Sequence, residues 1–322
     1  VIALAIMASI QPTLTLVVNP AAGGGLARRQ LPRVTSELVA GLPEASLRVI
    51  QTSSFAEARL RCIAAVEQAR PAEPGRMADS LLVMGGDGMM HLGLNAAAAT
   101  DVSLGLIPAG TGNDFCRGVG LTGGLNGALR TIVGGVTRRI DLMSVSGALV
   151  DGAEHRWVGS ILSTGFDSRV NYRANHQRFR FGGLAYSWAA LAELNRFEPL
   201  TYRLVIDGVP RNQSAMMIGV GNAGYFGGGM CGCPNADVTD GWLDVTIVHP
   251  VSRATMLRLL PTMFTGGFVK DPAVELLGAR EVVVDGDGLF GMADGEEIGQ
   301  VPLTCRIAPR ALSIYSRVGS DG

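Results

Sequence analysis

The sequence predicts an α/β N-terminal domain, with a parallel sheet and flanking helices, followed by a β-sandwich-like antiparallel second domain. Residues 13–143 alternate short apolar strands with segments of helical spacing, which is the pattern of a parallel sheet. Residues 144–308 contain short strand patterns bounded by Gly, Asn and Asp turns, which is typical of antiparallel sheets. With 322 residues, the chain is long enough for two separate cores.

The elements follow from apolar runs and the turn residues that end them. In the first domain the predicted strands are Thr13–Val18, Ser46–Gln51, 81–84, 103–107 and 138–143. The helices of this domain run through Leu31 and Leu38, over 55–70, through Leu92 and Ala98, and over 125–133. In the second domain the predicted strands are 157–164, 201–206, 215–221, 242–248, 281–284 and 303–307, and the predicted helices are 183–197 and 252–266.

A glycine turn follows the third predicted strand. Gly85, Gly86 and Gly88 surround Asp87, and residues without a Cβ let the backbone approach a ligand closely. A strand, a glycine turn and a helix N-terminus together direct amide N–H groups at a phosphate. Because a bare carboxylate repels phosphate, Asp87 fits this interpretation if a divalent cation or a hydroxyl group lies between them. The alternative is a tight turn with Asp87 near the helix N-cap.

A second loop of the same kind follows the next strand. Its residues are Pro108, Ala109, Gly110, Thr111, Gly112, Asn113, Asp114 and Phe115. The carboxyl ends of successive parallel strands lie side by side at one edge of a sheet, where open α/β folds bind ligands. Two glycine loops with matched acids, Asp87 and Asp114, therefore predict a ligand site rather than two unrelated turns.

Two further polar residues of this domain carry weaker signals. Asn19, which follows the first strand, either supplies an amide to a phosphate-facing loop or belongs to an ordinary turn between strand and helix. Asp141 stands between two apolar residues of a predicted strand, a poor place for a charge without a partner. The alternative for Asp141 is a solvated acid on an edge strand.

Composition and scattered residues exclude several classes of function. The 27 Lys and Arg against 28 Asp and Glu leave a net charge of −1, which argues against nucleic acid as a partner. A structural zinc site needs about four ligands, and Cys231 and Cys233 have no matching pair elsewhere. The four histidines form no cluster in the sequence, and no serine stands in a GxSxG context. No apolar stretch reaches the roughly 18 residues needed to span a bilayer.

Two features bear on the cellular setting. The five cysteines are odd in number and scattered, which suits a reducing cytoplasm. The apolar residues 1–10 have no basic segment before them, so we interpret them as an upstream or misassigned start, with Met7 a candidate initiator, rather than as a signal peptide.

Four motifs together carry a resemblance to a known family. They are Asn19-Pro20-Ala21-Ala22-Gly23, the GGDG of 85–88, the PAGTGNDF of 108–115, and Asp294-Gly295-Glu296. In their order and spacing they resemble the diacylglycerol kinase catalytic family, with soluble bacterial lipid kinases as the nearest look-alikes and sphingosine kinases as more distant ones. The resemblance spans residues 13–316. It implies that the last strands return to the first domain, over 309–318, and that 144–308 form a lipid-substrate domain.

The resemblance also implies an activity: an ATP-dependent lipid kinase that transfers the γ-phosphate to a lipid hydroxyl, with diacylglycerol as acceptor and phosphatidic acid as product. The implied cofactors are ATP and Mg²⁺. The implied partners are the lipid substrate, the inner face of the membrane as a peripheral contact of a cytoplasmic protein, and a second copy in a homodimer.

Specific residues receive roles from the same resemblance. Glu296, directly after Asp-Gly, corresponds to the base that accepts the hydroxyl proton, while an acidic surface turn is the alternative. Asp87, Asp114 and Asp141 correspond to a carboxylate network that holds the catalytic Mg²⁺ through water. The nucleotide contacts fall on Asn19, Thr52, Gly85, Gly86, Asp87, Gly88, Gly110, Thr111, Gly112 and Asn113. Thr52 has a helix cap as its alternative.

A second metal site is implied at residues 237–242. There the side chain of Asp240 and the carbonyl oxygens of Asp237 and Trp242 would hold a structural Mg²⁺. The alternative is a hairpin turn built on Asp240-Gly241.

Two other functions stay open. NAD kinases share GGDG and a two-domain plan, although PAGTGND and the C-terminal DGE favour the lipid kinases. Met89 stands where the family usually has threonine, which removes a hydroxyl that could bind phosphate. A catalytically impaired module that senses lipid or nucleotide is therefore the non-enzymatic alternative.

Overall fold

The computed structural model describes residues 11–74, 76–166, 168–170 and 198–317. These residues form two compact units. The first unit contains the described residues up to 116, residues 120–140 and those from 310 onward, and the second contains 117–119 and 141–309. Two long strands of the chain contain residues of both units.

The first unit alternates strands with helices along the chain. Its elements are β1 (Thr13–Val18), α1 (Ala22–Gly41), β2 (Ser46–Gln51), α2 (Phe55–Glu67), β3 (Ser80–Gly85), α3 (Asp87–Ala97), β4 (Ser103–Pro108), α4 (Asp114–Gly118), α5 (Gly124–Val133) and the start of β5 (Thr137–Leu149). The strands pair in parallel in the order β4, β3, β1, β2, and Ser313 and Ile314 near the C-terminus add a parallel pairing to the other side of β4.

The central strands of the parallel sheet are buried because they are apolar on both faces, whereas the edge strand β2 is largely exposed. Every residue of β3 is buried. Leu16 and Leu82 on one face pack with Leu31 of α1 and Leu129 of α5. Helices α2 and α3 pack against each other and against β3. Since β3 and β4 run in register from Ser80 and Ser103, they end together at Gly85 and Pro108, which places the two glycine loops side by side.

The second unit is built from antiparallel strands. Its elements are the rest of β5, then β6 (His155–Val158), β7 (Ile161–Gly165), β8 (Leu200–Ile206), β9 (Val209–Ala215), β10 (Met217–Gly221), β11 (Tyr225–Phe226), β12 (Met230–Cys231), β13 (Leu243–Val248), α6 (Arg253–Met263), β14 (Val274–Ala279), β15 (Glu281–Asp285), β16 (Phe290–Ala293) and β17 (Glu296–Tyr315). One run of strands has the order β14, β13, β10, β7, β16, β17, and β9, β8 and β15 pair in sequence to β17.

Side chains alternate between two cores in this unit, as the pleat of a strand requires. Leu162 and Ile218 point into a core that they share with β8, β15 and β17. Their neighbours Ile161 and Met217 point into a second core, which is covered by Met256 and other residues of α6. The unit is therefore a sandwich-like arrangement with a helix on the outer face of one sheet.

The predicted fold class is confirmed, and the differences lie in individual elements. The predicted strand 157–164 is two strands, β6 and β7, separated by a bend at Gly159 and Ser160. The predicted helix 183–197 lies outside the described residues. Strands β9, β14 and β16 were not predicted, and β17 is much longer than the predicted 303–307. Within the described part of the chain, no helix has the length and apolar character to cross a membrane.

Candidate functional site

The first glycine loop leads directly from β3 into α3. Gly86 is the extended residue before the helix, and the amides of Met89 and Met90 donate to its carbonyl oxygen. Asp87 and Gly88 are the first two residues of the helix. The arrangement is the strand, turn and helix N-terminus that the sequence predicts, and such an N-terminus favours negative charge.

Asp87 binds the second loop through its side chain. Its two carboxylate oxygens accept the backbone N–H groups of Asn113, at 2.8 Å, and of Asp114, at 2.6 Å. A Cβ on Gly112 would lie 2.3 Å from Asp87 Oδ2, so only glycine lets the loop backbone approach the carboxylate this closely. The alternative position of Asp87 near the N-cap of α3 is correct, since Gly86 is the N-cap, but the carboxylate accepts the amides of Asn113 and Asp114 at the start of α4.

The second loop is also closed upon itself and upon the first loop. Asn113 has a left-handed backbone, with φ of 58°, and its side chain exchanges hydrogen bonds with the N–H and C=O of Gly110, at 3.2 and 3.0 Å. A Cβ on Gly110 would lie 2.4 Å from the Cα of Gly86. The two loops thus touch backbone to backbone. Thr111, between these residues, is exposed.

Asn19 and Thr52 lie at the ends of β1 and β2. Asn19 Oδ1 accepts the N–H of Ala21 at 3.0 Å. The hydroxyl of Thr52 donates to the carbonyl oxygen of Val18 at 3.0 Å. Thr52 does not cap α2, because Ser54 is the N-cap and its side chain accepts the N–H of Glu57. The helix-cap alternative for Thr52 is therefore wrong, whereas nucleotide contact by Asn19 and Thr52 stays a prediction.

Met89 is buried at 4% exposure. A Cβ on Gly85 would lie 2.4 Å from Met89 Cγ, which shows that the methionine packs directly under the first loop. Met89 thus contributes apolar packing where a threonine would contribute a hydroxyl.

In the second unit, Asp141 is tied to the turn at residues 237–242. Asp141 is 2% exposed. Its N–H donates to the carbonyl of Val238 at 2.6 Å, and its Oδ2 accepts the N–H of Gly241 at 2.8 Å. The alternative of a solvated edge-strand acid is wrong for Asp141, because the residue is buried and hydrogen-bonded.

The turn itself concentrates negative charge. Asp237 Oδ1 accepts the N–H of Thr239, and Asp240 Oδ1 accepts the N–H of Trp242, both at 2.9 Å. Loss of hydration, with the charges of Asp237 and Asp141 adding to it, raises the pKa of Asp240. Burial, with the charge of Asp240, raises the pKa of Asp244 to about 6. The raised pKa values show that Asp240 and Asp244 are costly to ionise side by side. A hard cation would offset this cost, and carboxylate oxygens are the ligands that it prefers.

No group of three or more His, Cys, Asp or Glu side chains able to hold a metal ion occurs in the described residues. The predicted magnesium site at 237–242 uses one carboxylate and two carbonyl oxygens, and it stays a prediction. Trp242 is 41% exposed, with the guanidinium carbon of Arg280 at 4.8 Å from its ring centre.

Glu296 is the first residue of β17 and follows a two-residue hairpin turn. Asp294 and Gly295 have φ values of 51° and 83°, as the tightest β-hairpin turns require. The Asp294 carboxylate accepts the N–H groups of Gly159, at 3.1 Å, and Ser160, at 3.0 Å. Glu296 is half-buried and pairs with Ala293 across the hairpin. Asp294 and Gly295 do form a β-turn, as the alternative holds. Glu296 lies directly after this turn, on a strand that fixes its backbone position.

Comparison with known proteins shows to which family this chain belongs. The model of the diacylglycerol kinase catalytic domain matches residues 13–145, and that of the YegS C-terminal NAD kinase beta sandwich-like domain matches 160–316. The chain is 41% identical to a protein named diacylglycerol kinase from Mycobacterium tuberculosis (strain ATCC 25618 / H37Rv), over 73% of this chain and 76% of that one. The chain belongs to the diacylglycerol kinase family.

Other relatives agree with this family. A protein of Xanthomonas oryzae pv. oryzae (strain MAFF 311018), named probable lipid kinase YegS-like, is 33% identical over 62% of this chain and 65% of its own. A crystal structure of a diacylglycerol kinase from Bacillus anthracis str. Sterne has a TM-score of 0.69 at 18% identity and covers 95% of this chain and 97% of that chain. At this identity the structural likeness shows the fold.

The structure brings the predicted site residues together in two groups, one in each unit. In the first unit it brings together the two glycine loops, Asp87 and Asp114. In the second unit it brings Asp141 to the turn at 237–242. Sequence analysis missed one residue, Asn222, whose side-chain N–H₂ donates to the carbonyls of Asp141 and Gly159 at 3.0 and 3.1 Å. The only signal for Asn222 was an amide side chain directly after the apolar strand that became β10.

Proposed function

We propose that the protein is an ATP-dependent lipid kinase that transfers the γ-phosphate of ATP to a lipid hydroxyl, with diacylglycerol as the acceptor. The observation that carries this proposal is the pair of glycine loops, which Asp87 joins by two short hydrogen bonds. Two relatives of the chain are named diacylglycerol kinase and probable lipid kinase YegS-like. Close backbone approach and free amides are what a triphosphate needs.

The residues of the loops would bind and orient the nucleotide. Gly86 and Gly110 let the backbones of the two loops contact each other directly, which keeps both loops at one end of the parallel strands. We assign Asp87, Asp114 and Asp141 to the catalytic Mg²⁺; Asp114 is buried at the start of α4 and Asp141 is buried in β5. When bound, Mg²⁺ neutralises charge that develops on the transferring phosphoryl group. The side chain of Asp240, with the carbonyl oxygens of Asp237 and Trp242, would hold a second, structural cation.

Glu296 would take the proton of the lipid hydroxyl. General-base catalysis is worth roughly 10²–10⁴-fold. We therefore expect Glu296→Gln to lower turnover by that factor while ATP affinity, measured by calorimetry, persists. Glu297→Gln is the matched control, because adjacent strand residues point to opposite faces. If Glu297→Gln were the damaging change, the base would be the neighbouring residue.

The proposed activity is tested with radiolabelled ATP and either diacylglycerol micelles or NAD. Label in an organic-phase product supports the lipid kinase. Label in an NADP product would replace it with the second candidate, a NAD kinase. That candidate is favoured by the sandwich domain and by a likeness to yeast NADH kinase, with a TM-score of 0.50. Label in neither product would favour a catalytically impaired sensor.

A bilayer-resident substrate implies peripheral contact with a membrane. Helix α6 buries Met256, Leu259 and Met263 but leaves Leu257 and Phe264 46% and 51% exposed. Residues 249–270 contain no Asp or Glu and three Arg or Lys. Arg258 forms an ion pair with Asp271. Arg253 and Lys270 are therefore the cations that, with the exposed Leu257 and Phe264, suit an anionic lipid surface. Flotation with anionic vesicles, but not with neutral ones, is the expected result, and no flotation with any lipid would contradict a bilayer substrate.

The setting and assembly belong to the same proposal. We place the protein in the cytoplasm, at the inner face of the membrane, where ATP and the lipid meet. A homodimer is a further hypothesis, which sedimentation velocity would test directly.

A further inference from the structure

A hydrogen-bond network inside the second unit connects Asp141 with the hairpin that carries Glu296. We propose that Asp294 and Asn222 are positioning residues, which fix the base Glu296 relative to Asp141 through the bend at Gly159 and Ser160. This inference rests on the proposed kinase function. Neither residue needs to touch the substrate, since each side chain acts through hydrogen bonds to backbone groups of the bend.

Asn222 forms the first half of the network. It is completely buried, and its side-chain N–H₂ donates to the carbonyls of Asp141 and Gly159. Its backbone N–H donates to the carbonyl of Ser160 at 2.9 Å. Its buried Oδ1 has no hydrogen-bond partner among the described residues, so the side chain is held by its N–H₂ group alone, and these bonds define the distance between Asp141 and the bend.

Asp294 forms the second half of the network. Its carboxylate accepts the N–H groups of Gly159 and Ser160, the same two residues whose carbonyls bind Asn222. Strand β16, which ends beside Asp294, pairs with β7 directly after the bend, at Ala293 and Leu162. Two independent sets of bonds thus hold the hairpin against the bend.

The consequence concerns the base. Glu296 lies two residues after Asp294, across the tight turn, so its backbone position follows from the contact between Asp294 and the bend. Misplacement of a reacting group by about 1 Å can cost roughly 10²-fold in rate. Residues that define this position therefore affect turnover more strongly than they affect nucleotide affinity, because the nucleotide loops are in the other unit.

The same unit contains a matched control. Asp207 and Gly208 form the turn between β8 and β9, with φ values of 47° and 81°. The carboxylate of Asp207 accepts two successive N–H groups, those of Arg280 and Glu281, at 2.9 and 2.8 Å. Asp207 therefore forms the same kind of turn as Asp294 and also accepts two successive N–H groups, although with one oxygen, Oδ1, instead of two. Its hairpin carries no base.

The experiment compares Asp294→Asn with Asp207→Asn. Asparagine tolerates the left-handed backbone, so both variants should fold. The one remaining oxygen can keep both bonds of residue 207 but only one of the two bonds of residue 294, so we expect the larger loss of thermal stability for Asp294→Asn. We expect Asp294→Asn to lower kcat by about 10- to 100-fold with the KM for ATP unchanged, and Asp207→Asn to leave kcat near the wild-type value. Equal kcat values for the two variants would mean a purely structural role and would overturn the inference.

A double variant identifies the residue through which Asp294 acts. If it acts through Glu296, Asp294→Asn should add little to the loss caused by Glu296→Gln. Losses that multiply would overturn the inference, and so would a Glu296→Gln variant of normal activity. Asn222→Ala should likewise add little to Asp294→Asn. A wild-type protein without any phosphoryl transfer in this assay would instead refute the proposed function, and thereby remove the reaction that the network serves.

Discussion

At the scale of residues, two aspartates beside glycine turns have a structural role that the sequence does not reveal. Asp87 and Asp294 each follow or form a glycine turn, and each accepts two backbone N–H groups of a distant segment. Hydrogen bonds from backbone amides to a carboxylate are charge-assisted and short. These carboxylates therefore hold loops in place, whatever else they bind.

This geometry separates Asp87 from Asp114. Asp87→Asn keeps one oxygen and turns an N–H₂ group toward the amide of Asn113 or Asp114, so one of the two bonds is lost. We expect both weaker ATP affinity and lower turnover for Asp87→Asn. Asp114→Asn leaves the donating N–H groups intact, and we expect it to lower turnover by orders of magnitude at nearly normal ATP affinity. Calorimetry and steady-state rates provide the comparison, and identical profiles for the two variants would contradict it.

At the scale of elements, the buried parallel strands were predictable and the bend in the second unit was not. Thr13–Val18 matches the observed strand because an apolar run between turn residues determines a strand locally. The predicted Ser46–Gln51 also matches, although this edge strand is largely exposed. The split of 157–164 depends on Asp294, which lies 135 and 134 residues away from Gly159 and Ser160. Such long-range bonds leave no periodic signal in the sequence.

The candidate site shows the same contrast. The glycine loops were predictable, because glycine marks places where backbone must come close. The hydrogen bonds of the Asp87 carboxylate to Asn113 and Asp114 were not predictable, since capping rules connect a side chain only with its own helix. Asn222 was missed for the same reason: its partners, Asp141 and Gly159, are 81 and 63 residues distant.

The contact between the two loops leads to a prediction about Gly110. A Cβ at this position would lie 2.4 Å from Gly86 Cα, so Gly110→Ala must separate the loops by roughly 1 Å to restore normal carbon contact. That shift would stretch the bonds of Asp87, and we expect at least a tenfold loss of ATP affinity. Gly278→Ala is the control, because its Cβ would meet only Trp242, at 3.7 Å. Normal affinity in Gly110→Ala would show that the loops are not in rigid contact.

At the scale of the whole molecule, the proposed tasks are distributed over two units. The glycine loops belong to the first unit, whereas Asp141, the 237–242 turn and Glu296 belong to the second. The second unit should therefore have a stability that can be measured separately. All three tryptophans of the sequence lie between residues 141 and 309, so tryptophan fluorescence follows the unfolding of this unit.

An ion-pair cluster makes that stability depend on pH. Glu275 of β14 binds Arg211 of β9 through two hydrogen bonds of 2.8 and 2.6 Å, and His249 Nε2 lies 3.0 Å from Glu275. These hydrogen bonds from Arg211, with a further one from His249, lower the pKa of Glu275 below its value of 4.5. Since the folded pKa is the lower one, the cluster stabilises the fold above the unfolded pKa, and the contribution is lost as pH falls through the folded pKa.

The resulting prediction concerns Glu275→Gln. Both side chains of the pair are partly exposed, so we expect a loss of only about 1 kcal/mol in the free energy of unfolding at pH 7. The loss should begin to shrink as pH falls through about 4.3, the ordinary pKa of glutamate, because the carboxylate of the unfolded chain is then protonated. It should disappear below the lowered pKa of folded Glu275, where the wild-type carboxylate is protonated as well. Urea titrations followed by tryptophan fluorescence measure this difference at each pH. Asp287→Asn, at a side chain that is 95% exposed, should change stability by less and serves as the control. A Glu275→Gln penalty that stays constant from pH 7 to pH 3 would show that shape, rather than charge, accounts for the effect.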